Sequence, residues 1–395
     1  MMIDHSLLEP DVQDFINAHL STPVSVLALQ KNPFPHLDYK RILQQIESKA
    51  KAAQKLPTWF NTPLCLYPSK ISIEQTSSEI TASYKAQTIH GASLIDLTGG
   101  FGVDAYYFSQ HFQSVVHCEQ DAQLSAIVAH NISTMGVHNL DLFSGDGLDY
   151  LHEKNTRFDW IYIDPSRRHE EKGKVFFLRD CAPNVPELLE EYFKYTNQIL
   201  IKTAPLLDIS AALQELKFVS EVQVIAVQNE VKELLFYLCK NCVDAVRVTA
   251  VTLFKTDSAS LFTHEFGLRV PIEIEAPQSY LYEPNAALMK SGGYDVLAHQ
   301  LELKKLHVHT HLFTSTTLIE YPGRRFQIRR VFPYQKSEMK SLIGKKGHVA
   351  TRNFPESVAD LRKKWKIADG GTSYWFFVSL EKGQKVVLET EKISD

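Results

Sequence analysis

Between residues 93 and 238 short apolar runs alternate with helical stretches, and this alternation restricts the fold more than any other feature of the chain. The runs cover residues 93–97, 114–119, 140–144, 160–164, 198–202, 222–227 and 234–238. Helical spacing fills most of the intervals, notably 121–135 and 185–196. Nearly continuous apolar strands separated by helices predict a parallel sheet covered on both faces. The last two runs depart from this rule. Gln228-Asn-Glu-Val-Lys-Glu is too short for a helical crossover, so they are expected to form an antiparallel hairpin.

At 395 residues the chain exceeds one ordinary core. Four parts are expected: a helical region at 1–85, the α/β domain at 86–242, a small α+β unit at 243–318 and a basic module at 319–395. The helical region rests on Ile42, Ile46 and Lys49/Ala50 near helical spacing. In the third part, 245–254 reads as a strand and 285–303 as a helix that Gly292-Gly293 lies within or interrupts. In the fourth, strands are expected at 325–331 and 374–379 and a helix at 355–365. The net charge of −4 conceals an asymmetry. Residues 321–395 carry 16 Lys+Arg and 8 Asp+Glu, or +8, against 26 and 38, or −12, in the remainder. A basic module of this kind suits a polyanionic partner. No apolar run reaches bilayer length, residues 1–4 do not open a signal segment, and five scattered cysteines suggest thiols in a reducing compartment, so a cytoplasmic protein with no membrane partner is expected.

Leu94-Ile-Asp-Leu-Thr-Gly-Gly-Phe-Gly-Val-Asp104 predicts a strand ending at Asp96, a loop with Gly99, Gly100 and Gly102, and a helix from about Val103. Such a loop brings backbone close to a ligand and aims helix N–H groups at it. Glu119, ending the second strand, can accept from ribose hydroxyls. Gly100-Phe-Gly-Val-Asp-Ala105 also fits the dinucleotide pattern GxGxxA, so the loop alone does not separate NAD from S-adenosylmethionine. Asp96, placed for a cationic amino-acid end, and Asp146, placed for an adenine amino group, favour S-adenosyl-L-methionine. The expected cofactor set is Asp96, Thr98, Gly99, Gly100, Phe101, Gly102, Glu119, Gln120, Asp146 and Gly147.

These motifs, with Asp164-Pro165, resemble those of class I S-adenosylmethionine-dependent methyltransferases, whose Rossmann-like sheet ends in the hairpin described above. Ser78-Glu79, Asp164-Pro-Ser-Arg-Arg168, Glu230-Val-Lys-Glu-Leu, Glu283-Pro-Asn-Ala-Ala and Thr351-Arg-Asn-Phe-Pro extend the resemblance to bacterial methyltransferases with a C-terminal THUMP-like domain. The resemblance implies a ferredoxin-like unit before the tail. THUMP domains proper bind RNA.

Asp164 falls at a strand's C-terminal end, where open α/β sheets hold ligands. Methyl transfer requires an aligned nucleophile and a route for its proton. In amino-methylating enzymes an Asp/Asn-Pro-Pro-aromatic loop aligns the target. This chain keeps Asp164 and Pro165 but has Ser166 and Arg167 next, so catalysis is assigned to Asp164, Pro165 and Ser166. Arg167, Arg168 and Lys202 are expected to face substrate, with Lys202 alternatively a plain surface group. Arg324-Arg-Phe-Gln-Ile-Arg-Arg330 and Arg352 suggest an RNA-tracking surface through Arg325, Arg329 and Arg352, with Trp365 either stacking or core. Cys239-Lys-Asn-Cys242 lacks a second pair, and His307, His309 and His311 read as one polar strand face, so no metal site is expected. No cysteine lies where a pyrimidine-attacking nucleophile belongs. No obligate protein partner is evident.

Three readings follow. The first is methylation of an rRNA or tRNA base. The second is methylation of DNA adenine or a protein side chain by the same core. The third, suggested by Ser166-Arg167, is a donor- or RNA-binding module without catalysis.

Overall fold

The computed structural model describes residues 3–167, 177–242, 244–256 and 258–394. Two compact units emerge, one of residues 1–220 and 234–244 and one of 221–233 and 245–395.

The first unit begins with helices α1 (Pro10–Ala18), α2 (Tyr39–Lys55) and α3 (Glu79–Thr88). Asp38 caps α2 by accepting from Lys40 N at 3.0 Å, and Ile42, Leu43 and Ile46 turn inward onto Val12, Ile16, Leu27 and Leu66. The alternating segment follows as β1 (Ser93–Asp96), α4 (Val103–Ser109), β2 (Ser114–Glu119), α5 (Ala122–Thr134), β3 (Leu140–Ser144), α6 (Gly147–Lys154) and β4 (Trp160–Ile163). A two-strand ribbon, β5 (Ser166–Arg167) with β6 (Cys181–Ala182), precedes α7 (Val185–Tyr192), β7 (Gln198–Thr203) and α8 (Ile209–Glu215). Of β8 (Val219–Val227) and β9 (Glu230–Cys239), residues 219–220 and 234–239 belong to this unit.

Strand order runs β3-β2-β1-β4-β7-β9, parallel except for β9, which pairs antiparallel with β7 from Gln198↔Cys239 to Thr203↔Leu234. Cys239 N–H donates to Phe218 O at 2.9 Å, and β8 and β9 are adjacent strands joined by Gln228 and Asn229, as the short link requires. The helix expected at 185–196 ends at Tyr192, since Phe193 and Tyr195 are drawn into the core. The expectation of five thiols is corrected. Cys239 and Cys242 form a disulfide across a turn that brings their Cα atoms to 5.4 Å. Cys65, Cys118 and Cys181 are buried thiols.

In the second unit residues 221–227 run parallel to β10 (Arg247–Leu253), which pairs antiparallel with β11 (Ala259–Glu265). A further sheet contains β12 (Tyr280–Pro284), β13 (Lys304–Lys305), β14 (Phe313–Ser315), β15 (Gly323–Pro333), β16 (His348–Arg352), β17 (Ser373–Ser379) and β18 (Lys385–Lys392), ordered β13-β14-β12-β15-β18-β17-β16. Helices α9 (Ala286–Ser291) and α10 (Tyr294–Gln300) flank Gly292, whose φ of 77° ends the first. Helix α11 (Val358–Trp365) joins β16 to its parallel neighbour β17. Phe376 and Leu388 face one core and Trp375, Phe377 and Val387 another, as strand alternation demands. His307, His309 and His311 lie in the loop between β13 and β14, not on a strand. Trp365 is core. No helix among the described residues is long and apolar enough to cross a membrane.

Candidate active site

The parallel strands of the first unit end together on one side, and a cleft of about 710 Å³ opens there. Asp96, Thr98, Gly99, Gly100, Phe101, Glu119, Gln120, Asp146, Gly147, Asp164 and Ser166 all line it. Chain segments 68 residues apart therefore meet at one surface because each strand carries its functional residue at its C-terminal end.

The loop after β1 is shaped by what lies beneath it. Gly99 sits over His117 of β2, and a Cβ at Gly99 would fall 2.2 Å from His117 Nε2. Burial lowers the His117 pKa to about 4, so the ring is neutral under the loop. Gly102 has φ 76° and starts α4, a conformation an L side chain resists. Phe101 is buried against Trp59 and Tyr67, which ties the loop to the N-terminal helical region.

The acidic residues occupy distinct environments. Glu119 accepts from Gly100 N at 2.9 Å and Asp121 N at 2.7 Å, while burial holds its pKa above the usual carboxylate value. Asp146 caps α6 through Leu148 N at 2.7 Å and accepts from Gln120 Nε2 at 2.5 Å. Asp96 is 1% exposed and, among the described residues, accepts only from Thr98, at 2.9 Å from the backbone and 3.3 Å from the hydroxyl. Burial raises its pKa well above the ordinary value, and the nearby carboxylates of Asp104 and Asp164 add to the shift. No ion pair among the described residues includes Asp96.

Asp164 follows β4, and its N–H donates to Thr98 Oγ1 at 2.6 Å. Lys202, which the sequence left as a substrate-facing or surface group, is buried at the end of β7 with Nζ 2.5 Å from Asp164 Oδ2. Burial raises the Asp164 pKa and the Lys202 charge opposes the shift. Pro165 is buried, and Ser166 is exposed at the cleft. Arg167 closes the β5 strand; its side chain and Arg168 lie outside the described residues.

Sequence reasoning missed the polar group behind this wall. Ser77 donates to Asp104 Oδ2 at 2.7 Å and accepts from Lys85 at 3.3 Å and Lys202 at 3.4 Å. Lys85 Nζ is also 3.2 Å from Asp104 Oδ1, and Tyr162 donates to Asp104 at 2.8 Å. Burial alone would raise Asp104, but Lys85 and Lys202, with the Ser77 and Tyr162 hydrogen bonds, bring its pKa below the ordinary value. Asp104 was visible as an acidic residue in the first turn of α4. Ser77 and Lys85 gave no local signal, since their role depends on where α3 docks.

The expected RNA-facing arginines are distributed differently. Arg325 is 6% exposed and pairs with Glu320 at 2.6 Å, so it is turned into the fold instead of outward. Arg352 and Arg324 share the buried Glu283. Arg329 is half-exposed and pairs with Glu391 at 2.6 Å. Lys345, Lys346, Lys363 and Lys366 supply exposed positive charge on the same unit.

Two family models match the C-terminal part, a ferredoxin-like domain over residues 280–322 and a THUMP domain-like one over 323–392. A candidate methyltransferase from Porphyromonas gingivalis W83 is 29% identical with a TM-score of 0.89, and all of both chains is covered. An rRNA methylase from Streptococcus thermophilus is 16% identical over 41% of this chain and 94% of its own, with a TM-score of 0.30. TrmK of M. capricolum, solved with S-adenosyl-homocysteine, is 14% identical over 41% and 68%, with a TM-score of 0.32. The first likeness extends over the whole of both chains, and the other two are partial and distant. No curated protein matches the sequence.

Proposed function

We propose that this class I methyltransferase fold, ending in ferredoxin-like and THUMP-like domains, works as an S-adenosylmethionine-dependent methyltransferase on RNA. The observation that carries the proposal is Asp96, a buried carboxylate without a cation partner among the described residues, at the bottom of the strand-end cleft. An ammonium-bearing ligand supplies the missing charge, which a nicotinamide dinucleotide does not. In this reading Glu119 accepts from two ribose hydroxyls and Asp146 from an adenine amino group. Gly99 lets the loop pack directly on His117, where a Cβ would fall 2.2 Å from Nε2, and this seats the loop backbone at the cleft. The bound group supplies an activated methyl on a sulfonium. Asp164, beside Asp96 on the same wall and joined to it through Thr98, is the group that meets the acceptor.

RNA as the acceptor rests on the THUMP domain-like match and on the exposed lysines of the second unit. The test is labelled methyl transfer from the donor to RNA, DNA and protein extracted from a strain lacking the gene. Label entering RNA is expected. Label confined to DNA or protein rules out RNA, and tight NAD binding with none of S-adenosylmethionine rules out the donor.

A further inference from the structure

Three carboxylates line the cleft's wall in the first unit, two buried ammonium groups lie behind them, and their pairing is not even. Lys85 and Ser77 hold Asp104, Lys202 holds Asp164, and Asp96 has no cation among the described residues. The Asp164 side chain is about one-third exposed (34%) towards the cleft, whereas that of Lys202 is only 9% exposed. An acceptor that reaches the Asp164 carboxylate therefore arrives within a few ångströms of a fixed ammonium.

That arrangement discriminates between acceptor atoms. A nitrogen that attacks through its lone pair becomes cationic as its bond to the methyl carbon forms, and a neighbouring ammonium opposes that charge. A hydroxyl oxygen becomes negative as its proton leaves, and the same ammonium stabilises it. A hydroxyl also needs a proton acceptor at the moment of attack, and a carboxylate whose proton affinity is raised by burial is better suited to this than an exposed one. Loop composition agrees. Ser166 and Arg167 stand where amino-methylating enzymes carry a second proline and a base-stacking aromatic, so no aromatic follows Pro165 to hold a flat base.

We infer that the acceptor is a ribose 2′-hydroxyl of RNA, with Asp164 taking its proton and Lys202 as the positioning residue that fixes Asp164 and faces the oxygen's developing charge. The inference rests on the reading of the protein as an RNA methyltransferase. In the step, the oxygen–carbon bond forms as the sulfonium's carbon–sulfur bond breaks, and that electron pair stays on sulfur. The hydroxyl proton passes to the Asp164 carboxylate and then to solvent. No further reactant is needed.

The test uses the full chain, methyl-labelled S-adenosylmethionine and total RNA from a strain lacking the gene. Alkaline hydrolysis followed by nucleoside separation should place label in alkali-resistant dinucleotides and in a 2′-O-methyl nucleoside. Label only in base-methylated nucleosides overturns this inference and leaves the RNA reading intact. Label absent from RNA but present in DNA or protein overturns both, through failure of the earlier reading. Lys202→Met should lower turnover by about 100-fold or more, with donor Kd by calorimetry within about 3-fold of wild type. Lys202→Arg, which keeps a cation against Asp164, should recover about a tenth or more of the lost activity. A readout independent of turnover is the ¹³C-carboxyl titration of Asp164, which also faces Lys85 and Asp104. Its midpoint should rise in Lys202→Met, and an unchanged midpoint removes Lys202 from the positioning role.

Discussion

Asp96→Asn separates donor binding from folding. Asparagine preserves the volume and an acceptor oxygen for Thr98 N–H, 2.9 Å away, but removes the charge. A hydrogen bond to a charged group contributes about 1.5–3 kcal/mol, so S-adenosylmethionine should bind about 10–150-fold more weakly. At a donor concentration that is 100 times the wild-type Kd, stabilisation of the wild type is about 2.7 kcal/mol, and a 100-fold drop in affinity leaves about 0.4 kcal/mol. The donor-induced shift in Tm should therefore nearly vanish. Without ligand the sign reverses. The Asp96 pKa is raised in the fold by burial, so its contribution to stability is present at low pH and lost as pH rises through the folded-state value. Ligand-free Asp96→Asn should accordingly melt above wild type at pH 8, with the difference closing towards pH 4. Wild-type donor affinity should climb over the same range as Asp96 loses its proton, and that of the variant should not. Calorimetry and thermal melts across this series give both readouts. A variant that binds donor as tightly as wild type, or that is less stable than wild type at pH 8, refutes the placement of an unpaired carboxylate beneath the donor's ammonium.

Other perturbations test separate interactions. Gly99→Ala should destabilise the first unit by about 1–3 kcal/mol in urea melts and abolish donor binding, because its Cβ meets His117. Combining it with His117→Ala should cost less than the two effects added, and simple additivity would falsify the steric explanation. Lys85→Met leaves Asp104 buried without its nearest cation and should cost about 3–5 kcal/mol, much of it recovered in the double variant with Asp104→Asn. Changing Lys345, Lys346, Lys363 and Lys366 to Gln should shallow the salt dependence of RNA binding by about 0.7 for each phosphate no longer neutralised. An unchanged slope in filter-binding assays places the RNA surface elsewhere.

Much of the catalytic unit was legible before its coordinates. Strands β1, β2, β4 and β7, buried on both faces, are specified largely by their own composition, and a two-residue link leaves β8 and β9 no option but to pair. The glycine loop likewise announces its turn, because a positive φ at residue 102 selects glycine. Strand β18 was missed. Its charged ends mask the apolar Val386–Leu388 stretch that lies between β15 and β17.

The alternation that opened the sequence determined a parallel sheet with an antiparallel end, because strand and helix periodicities are local properties of a chain. Which charges meet was decided only by the tertiary structure. Lys202 and Asp164 are 38 positions apart yet meet at one strand-end wall, Ser77 and Lys85 reach it from a docked helix region, and a buried Arg325 pairs with an exposed Glu320. Electrostatic pairing depends on distances across packed elements and on the water they exclude, and neither is written in the spacing of residues along one element.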